Sequence, residues 1–346
     1  MKREMSIRFL VIGDVHIKKN TIVRSMSMVD AIVKEAGKQH KEQGLDFIVV
    51  AGDVLDRFGD ARVEAHHLAS HFITRLMDIT FVYVIMGNHD MPNNSSFLNK
   101  MNFFQLLHKC NGVKLIETVV HDTINDVQFS FCPYVPDGRF KEALDTNPGW
   151  KESKVIFCHQ TFYQAKMGAI LSKTGDKWDI DLPIAISGHI HDHNILQENM
   201  YYVGTPDQMS FGDSSRKTIS IFKLDDGKLS ENRVSLNLPK RIHMEIMSSE
   251  VPYCVIPQGD KTIKITITGT MAENMAVKKL DIVKEWKARG IVVDYHDILP
   301  QQSDNIFIID DGPRKQRKKF IEGLYDDISN DPDMLETYHE VFGKTQ

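Results

Sequence analysis

Residues 47–56 read FIVVAGDVLD, in which a short and wholly apolar run, Phe47–Ala51, stops abruptly at Gly52-Asp53. A run this short and this continuously apolar is typical of a strand that is buried on both faces. Four other segments follow the same plan, an apolar run that ends in a polar group. They are Ile7–Ile12 before Gly13-Asp14, Phe81–Met86 before Gly87-Asn88, Val155–Cys158 before His159, and Ile184–Ile186 before Ser187-Gly188-His189. The first two thirds of the chain are therefore predicted to be built on buried strands.

Helices are predicted between the first three of these strands. Val23–Gln43 carries apolar residues at helical spacing, and so does Arg62–Met77. Strand–helix–strand units joined in this way predict an α/β fold in which helices cover both faces of a sheet.

The pattern changes after about residue 236. Lys261–Thr268 alternates polar and apolar residues, which is typical of a strand with one face in solvent. Ala272–Ala288 is predicted to be an amphipathic helix, and Gly290–Tyr295 a further strand. Three regions follow from this: a main domain over residues 1–236, a small α+β domain over 237–312, and a polar helical tail over 313–346.

The composition narrows the possible functions. With 346 residues and a formal net charge of −5, the chain is larger than one compact core and lacks the basic balance of a DNA-coating protein. No run approaches the ~20 apolar residues of a membrane span, and Met1–Met5 does not resemble a secretory signal. The four scattered cysteines argue against a structural zinc site and favour a reducing compartment. We expect a protein of the cytoplasm, or of the nucleoid or host-cell interior, that is neither secreted nor bound to a membrane.

The polar groups at the strand ends form the most informative pattern. The carboxyl ends of parallel strands meet at one edge of a sheet, so these groups should share one rim. Each piece alone has an ordinary explanation, since Asn88 and Asp90 are turn formers and His189 and His191 could be surface imidazoles. Together they predict a metal site, because carboxylates, an amide and imidazoles suit manganese, iron, zinc or nickel better than magnesium or calcium.

The predicted ligands are too many for one ion and fit two ions that share a carboxylate. The seven candidates are Asp14, His16, Asp53, Asn88, His159, His189 and His191.

The order of these motifs resembles the calcineurin-like metallophosphoesterases. The resemblance rests on Asp14-x-His16, Gly52-Asp53, Gly87-Asn88-His89-Asp90, His159 and Gly188-His189-x-His191. Within that superfamily the chain most resembles the nuclease subunit of SbcCD-type repair complexes, the meiotic-recombination-eleven branch, in a compact form similar to phage and viral versions. The narrower signals are Val50–Asp56 and Tyr202–Pro206 followed by Ser210–Asp213. One departure is Asp56, where some family members have a histidine.

The resemblance implies a sheet sandwich flanked by helices, with the small α+β unit as a capping domain and helices at the C-terminus. It implies that the two ions are divalent, with Mn²⁺ as the ion expected first, and that Asp53 bridges them. One ion would be held by Asp14, His16, Asp53 and His191, and the other by Asp53, Asn88, His159 and His189. His89 belongs to neither set and is the candidate catalytic residue, which would protonate or stabilise the leaving oxygen.

The implied substrate is DNA, which the protein would cut at ends or hairpins as an exonuclease, an endonuclease or both. The implied partners are a second copy of the chain, in a homodimer, and an SMC-like ATPase of the SbcC type. Arg314–Lys319 is basic, and Leu335–Phe342 carries an apolar helical stripe. Residues 313–346 are therefore predicted to bind the ATPase, with packing on the small domain as the alternative.

Two other classes of function stay open. The first is a different hydrolase on the same fold, such as a protein phosphatase, a cyclic-nucleotide phosphodiesterase or an RNA-debranching enzyme. The second is a binding module without activity, which the complete set of candidate ligands disfavours.

Overall fold

The computed structural model describes residues 6–57, 62–168 and 170–298. The strands in these ranges are β1 (Ile7–Ile12), β2 (Phe47–Val50), β3 (Phe81–Ile85), β4 (Val113–Ile116), β5 (Val120–Ile124), β6 (Val127–Phe131), β7 (Val155–Cys158), β8 (Lys166–Met167), β9 (Ile170–Leu171), β10 (Ile184–Ser187), β11 (Asn194–Gln197), β12 (Met200–Tyr202), β13 (Ile219–Asp225), β14 (Lys228–Val234), β15 (Lys240–Met247), β16 (Lys261–Gly269) and β17 (Val292–Asp297). The α-helices are α1 (Ile22–Gln43), α2 (Val63–Met77), α3 (Phe140–Asp145), α4 (Met271–Val277) and α5 (Asp281–Ala288). Short 3₁₀ helices cover Lys19–Thr21, Gln105–Lys109, Trp150–Glu152 and Ser248–Tyr253.

Two six-stranded sheets form the main body. The first has the order β14-β13-β1-β2-β3-β4, and the second the order β11-β12-β10-β7-β6-β5. The neighbours from β1 to β4 are parallel, as are β6, β7, β10 and β12, while the outer pairs are antiparallel. The apolar runs of the sequence therefore become the central strands of two sheets.

The sheets pack face to face on a core rich in phenylalanine. Phe9 and Phe47 stack with ring centroids 5.0 Å apart, and both rings contact Phe129 of the second sheet edge-on. The other face of the first sheet packs against α1 and α2 through a second core, which includes Ile32 and Phe72. A third core lies between the outer face of the second sheet and α3 with the loops near it.

The predicted sheet sandwich flanked by helices is confirmed. The strand–helix pattern alone predicted one sheet with helices on both faces, and this was wrong in one respect. α1 and α2 both contribute to the core on the outer face of the first sheet, and its inner face meets the second sheet. A run such as Val155–Cys158 is buried on both faces in either arrangement, so its composition cannot tell a covering helix from a covering sheet.

A three-stranded sheet, β15-β16-β17, follows the sandwich and has a core of its own with α4 and α5. The predicted helix over 272–288 is two helices, because Leu280 takes an extended conformation between α4 and α5. Arg24 of α1 forms a bidentate pair with Asp207 at 2.6 Å and also donates to the carbonyl of Pro239, at the start of this region. The predicted domain boundary at residue 236 stays a prediction.

The predicted tail, residues 313–346, and the end of the predicted small domain lie outside the described residues. Among the helices that the structure describes, none is both long enough and apolar enough to cross a membrane.

Candidate metal centre

The loops at the strand ends approach each other closely, and glycine makes this possible. Gly52 follows β2 with a φ of +96°, and a Cβ atom there would lie 2.2 Å from His159 Nδ1. A Cβ atom on Gly87, after β3, would lie 2.2 Å from the backbone nitrogen of Asp53. Only a residue without a side chain leaves room for these contacts. The loops that follow β2, β3 and β7 are thereby packed directly against one another.

Three of the candidate ligands have backbone conformations that L-residues rarely adopt. His16, Asp53 and His189 have φ values of +43°, +48° and +77°. Each such conformation costs on the order of 1–3 kcal/mol, and the surrounding structure must hold it in place. Non-glycine residues of this kind concentrate at functional sites, where a side chain must point in one particular direction.

One group of donor atoms forms around His159, which is fully buried. The Nδ1–H of His159 donates to the carbonyl of Ala51 at 2.7 Å, so Nε2 is the nitrogen that carries the lone pair when the imidazole is neutral. That Nε2 atom lies 3.1 Å from Asn88 Oδ1, 3.1 Å from His189 Nδ1 and 3.3 Å from Asp53 Oδ2. Metal-binding imidazoles are often oriented in this way, with the second nitrogen donating to a carbonyl.

A second group forms around His16. Its Nε2 atom lies 3.1 Å from His191 Nε2 and 3.7 Å from Asp53 Oδ2. Asp14 completes this group, since it can offer a carboxylate oxygen within 4.8 Å of donor atoms of His16 and His191. The carboxylate of Asp14 also accepts the backbone N–H of His189 at 2.9 Å, which ties the two groups together.

The structure therefore brings all seven candidate ligands into one cluster, in which Asp53 Oδ2 is the atom common to both groups. This donor set of imidazole nitrogens, carboxylate oxygens and one amide oxygen suits divalent transition-metal ions. The clusters are candidate ion sites, and the assignment of each side chain as a ligand stays a prediction.

The electrostatics of the cluster depend on mutual compensation. Burial works against the charged forms of Asp53 and His159, but their ion pair outweighs it and holds the pKa of Asp53 well below its usual range. The same partner raises the pKa of His159 to about 9 despite its burial. Burial lowers the pKa of His16 and of His189 to about 3, so both imidazoles are neutral at neutral pH. The forms that bind metal ions are neutral imidazoles and ionised carboxylates, so His16, His189 and Asp53 are already in that form, whereas an ion would have to displace a proton from His159.

His89 lies at the edge of the cluster, where it can offer a donor atom within 4.8 Å of donor atoms of His16 and Asp53, and one of its ring nitrogens makes a hydrogen bond. Its Nδ1–H donates to the carbonyl of Asp56 at 2.5 Å, and its Nε2 atom lies 3.9 Å from Asp53 Oδ2. The backbone N–H of His89 donates to Asp53 Oδ1 at 2.9 Å. The side chain thus faces the cluster from its edge, 30% exposed, where it can reach both solvent and a substrate bound at the cluster.

Asp90 was expected to act as a turn former. In the structure, its side chain positions two loops. The buried carboxylate accepts the backbone N–H groups of Gly87 at 3.1 Å, Val54 at 3.3 Å and Leu55 at 3.0 Å. It therefore fastens the loop after β3 to the loop after β2. The contact with Gly87 lies within the motif Gly87–Asp90, but Val54 and Leu55 lie more than 30 residues away and could not be read from it.

Comparison with known proteins places these motifs in a wider context. The family model described as calcineurin-like phosphoesterase matches residues 7–193. "Putative phosphoesterase 078R" of Invertebrate iridescent virus 3 is 33% identical over 301 residues, which cover 85% of this chain and 86% of that protein. "Putative phosphoesterase 244L" of Invertebrate iridescent virus 6 is 34% identical over 283 residues, which cover 80% and 99%. The family match contains His89 and all seven candidate ligands.

A solved archaeal phosphodiesterase also matches, with 10% identity and a TM-score of 0.34, over 66% of this chain and 100% of that one. A likeness at this level carries no argument about function.

Proposed function

Because the chain belongs to the calcineurin-like phosphoesterase family, we propose that it is a two-metal nuclease that hydrolyses phosphodiester bonds in DNA. The observation that carries the two-metal part is the position of Asp53 Oδ2, 3.3 Å from His159 Nε2 and 3.7 Å from His16 Nε2. A carboxylate oxygen that lies between two groups of donors suits two ions that share it.

Each side chain of the cluster has a defined task in this proposal. Asp14, His16 and His191 would hold one ion with Asp53, and Asn88, His159 and His189 the other. Bound divalent ions supply Lewis-acid chemistry, since they stabilise negative charge on the phosphate and make water a better nucleophile at neutral pH. The chain itself fixes the donor atoms in advance, through the carbonyl of Ala51 behind His159 and the backbone N–H groups on Asp14 and Asp53.

His89 is the proposed catalytic residue outside the ligand sets. Because its Nδ1–H is engaged with the carbonyl of Asp56, the Nε2 atom is the one directed at the cluster. In the protonated form, Nε2–H could donate a proton to the leaving sugar oxygen as the P–O bond breaks, or stabilise that oxygen by its charge. No serine or cysteine lies among the donor atoms, which agrees with direct attack by water.

DNA as the substrate is supported by two segments in the resemblance to SbcCD-type nuclease subunits, Val50–Asp56 and Tyr202–Asp213. Tyr202 is fully buried; its hydroxyl donates to the carbonyl of Gln160 at 3.2 Å and accepts the backbone N–H of Phe162 at 2.8 Å. It thereby anchors the segment that follows His159. Farther along that segment, Lys166 lines a cavity of about 330 Å³ together with His189 and His191, and with Asp192 and Asp213. The segment therefore reaches the edge of the cluster, and we propose that it contacts the substrate there.

The test is an assay of the purified full-length chain with Mn²⁺ on double-stranded DNA, DNA hairpins, a phosphopeptide and bis(p-nitrophenyl) phosphate. We expect cleavage of DNA and of the small diester, with much lower rates when Mg²⁺ replaces Mn²⁺ at the same free concentration, because four imidazoles disfavour Mg²⁺. Strong phosphopeptide turnover without DNA cleavage would overturn the nuclease proposal in favour of another phosphoesterase. Equal rates with both ions would overturn the metal assignment alone.

The partners are part of the same proposal. A homodimer and an SbcC-type ATPase would complete the assembly, with residues 313–346 as the ATPase-binding segment. Co-purification of the ATPase with the full chain, but not with residues 1–312, is the expected result. A truncated chain that still cleaves bis(p-nitrophenyl) phosphate and still binds the ATPase would show that the segment is not needed.

A further inference from the structure

A basic cavity of about 420 Å³ adjoins the metal cluster. It is lined by the loop after β1, by residues of the segment between β2 and α2, and by the first turn of α2. The described residues that carry its polar lining are Lys18, Lys19, Asn20, Asp56, Arg57 and Arg62. Four of them are cationic and one is acidic, in a chain with a formal net charge of −5. These cations come from two segments about 40 residues apart, so no single motif in the sequence contains them.

The cavity and the cluster share a wall. Asp56 Oδ1 lies 3.1 Å from Lys18 Nζ on the cavity side and 3.8 Å from His16 Nδ1 on the cluster side. The carbonyl of Asp56 accepts from His89. The two loops are joined just before the cavity, where the backbone N–H of Ile17 donates to the carbonyl of Val54 at 2.9 Å. A molecule that reaches from the cluster past Asp56 therefore enters the cavity directly.

The cations differ in how firmly they are held. Lys18 and Asp56 form a partly buried ion pair, with side chains 29% and 26% exposed. Lys19 is about half exposed, with its Nζ atom 4.0 Å from Glu64 Oε1, and the side chains of Arg57 and Arg62 are exposed to solvent. Arginine presents several N–H donors in a plane that matches the oxygens of a phosphate. This is a surface suited to a second anion, close to one that is bound at the ions.

The cavity on the other side of the cluster is different. It has His189 and His191 in its wall, but its remaining charged residues are Lys166, Asp192 and Asp213. One lysine and two aspartates give this cavity no net positive charge when its two imidazoles are neutral. The asymmetry matters for a polyanion, since phosphates follow one another along a nucleic-acid strand every few ångströms and seek positive potential.

We propose that the basic cavity binds a phosphate of the substrate strand next to the scissile one, on the Lys18 side of the cluster. This proposal rests on the proposed nuclease function and adds to it a basis for preferring polynucleotides over isolated phosphodiesters. The scissile phosphate lies at the ions, and the strand continues past Asp56, so that the flanking phosphate meets Arg57 and Lys19. A diester without a flanking phosphate leaves the cavity without an anion.

The experiment compares two substrates in one variant. In Lys19→Gln/Arg57→Gln, the ratio of kcat/KM for a single-stranded oligonucleotide to kcat/KM for bis(p-nitrophenyl) phosphate should fall about tenfold or more. The salt dependence of oligonucleotide binding, measured by anisotropy in EDTA, should lose about 0.7 in slope for each phosphate contact removed. The matched control is Lys38→Gln/Lys41→Gln, which removes two charges at the far end of α1 and should keep the wild-type ratio.

The outcomes separate the two levels of the proposal. A wild-type protein that cleaves the small diester and no DNA overturns the nuclease function, and the role of the cavity with it. A wild-type protein that cleaves DNA, with an unchanged ratio in Lys19→Gln/Arg57→Gln, overturns the cavity alone. An equal fall in the control variant shows a general charge effect and overturns it as well. Melting temperatures of all variants identify any loss of folding.

Discussion

The cluster of candidate ligands and the basic cavity meet at Asp56, but their side chains differ in burial. In the cluster, Asp14, Asp53 and His159 are buried and each has a fixed hydrogen-bond partner. In the cavity, Arg57 is exposed and Lys19 is about half exposed. Chemistry at phosphorus needs donor atoms at set positions, whereas holding a neighbouring phosphate needs only positive charge within reach. The difference teaches that one rim can carry a buried, hydrogen-bonded group of candidate ligands and an exposed, cationic surface side by side.

The difference in burial has an energetic consequence, because solvent stabilises exposed charges and not buried ones. A buried charge without a partner is strongly unfavourable, so every group of the cluster must be compensated by another. An exposed cation is screened by water and salt and needs no fixed partner, but it also contributes less. Changes in the cluster should therefore abolish activity on every substrate, and changes in the cavity should reduce activity on DNA only.

The largest effect is expected for Asp53→Ala. Because Asp53 lies between both donor groups, its loss should remove the second ion and weaken the first, and should lower activity on DNA and on the small diester by more than ~10⁴-fold, beyond the range of a lost acid–base catalyst. His16→Ala, at the end of one group, should weaken mainly one ion. Metal counting by mass spectrometry after desalting checks this, with Asp30→Ala as the control carboxylate; two tightly bound ions in Asp53→Ala would contradict the bridge.

Gly52→Ala tests whether the rigidity of the cluster depends on close packing of its loops. An added Cβ atom would lie 2.2 Å from His159 Nδ1, at a φ of +96° that alanine disfavours, so His159 must move. We expect loss of one ion and of most activity on both substrates. Gly37→Ala, inside α1, is the matched control. Its added Cβ atom would lie 3.9 Å from Ile79 Cδ1, so the substitution should be neutral or stabilising. Normal metal content in Gly52→Ala would show that the loops are adaptable.

His89→Gln separates catalysis from metal binding within the cluster. The variant should keep both ions and lose ~10²–10⁴-fold in kcat, as is typical for a lost proton donor. Metal content and rate must be measured on the same sample. The loss should shrink for a diester with a good leaving group such as p-nitrophenolate, which needs no proton. A metal-loaded variant with near-normal DNA cleavage would remove His89 from the mechanism.

The smallest effect is expected from salt, and it concerns the cavity. Raising the salt concentration from about 50 to 200 mM should lower kcat/KM for a single-stranded oligonucleotide roughly tenfold, if two or three phosphates are contacted. Activity on bis(p-nitrophenyl) phosphate should change much less, because the buried cluster is little screened. Stopped assays over this range at constant Mn²⁺ check the prediction. Parallel losses on both substrates would mean that the two regions are not separable.

Much of the fold and of the candidate site could be predicted from the sequence, since the informative residues are local. Each candidate ligand lies within a few residues of an apolar run such as Phe47–Ala51, and α1 and α2 begin within one residue of their predicted starts. The strand after Gly290 and the helices around Leu280 were placed less well. Leu280 breaks the helix without a glycine or proline, so only packing of α4 and α5 on the small sheet could set that boundary.

By itself, the sequence determined which side chains gather at the rim, because an apolar run of three to six residues is typical of a buried strand, and the carboxyl ends of parallel strands share one edge. The tertiary structure alone decided what these segments contact. It divided the strands between two sheets and brought distant backbone N–H groups to the carboxylate of Asp90. It also placed Asp56 between Lys18 and His16. The physical reason is that the periodicity of side chains is a local property, whereas the partner that covers a buried face or a charged group comes from distant parts of the chain.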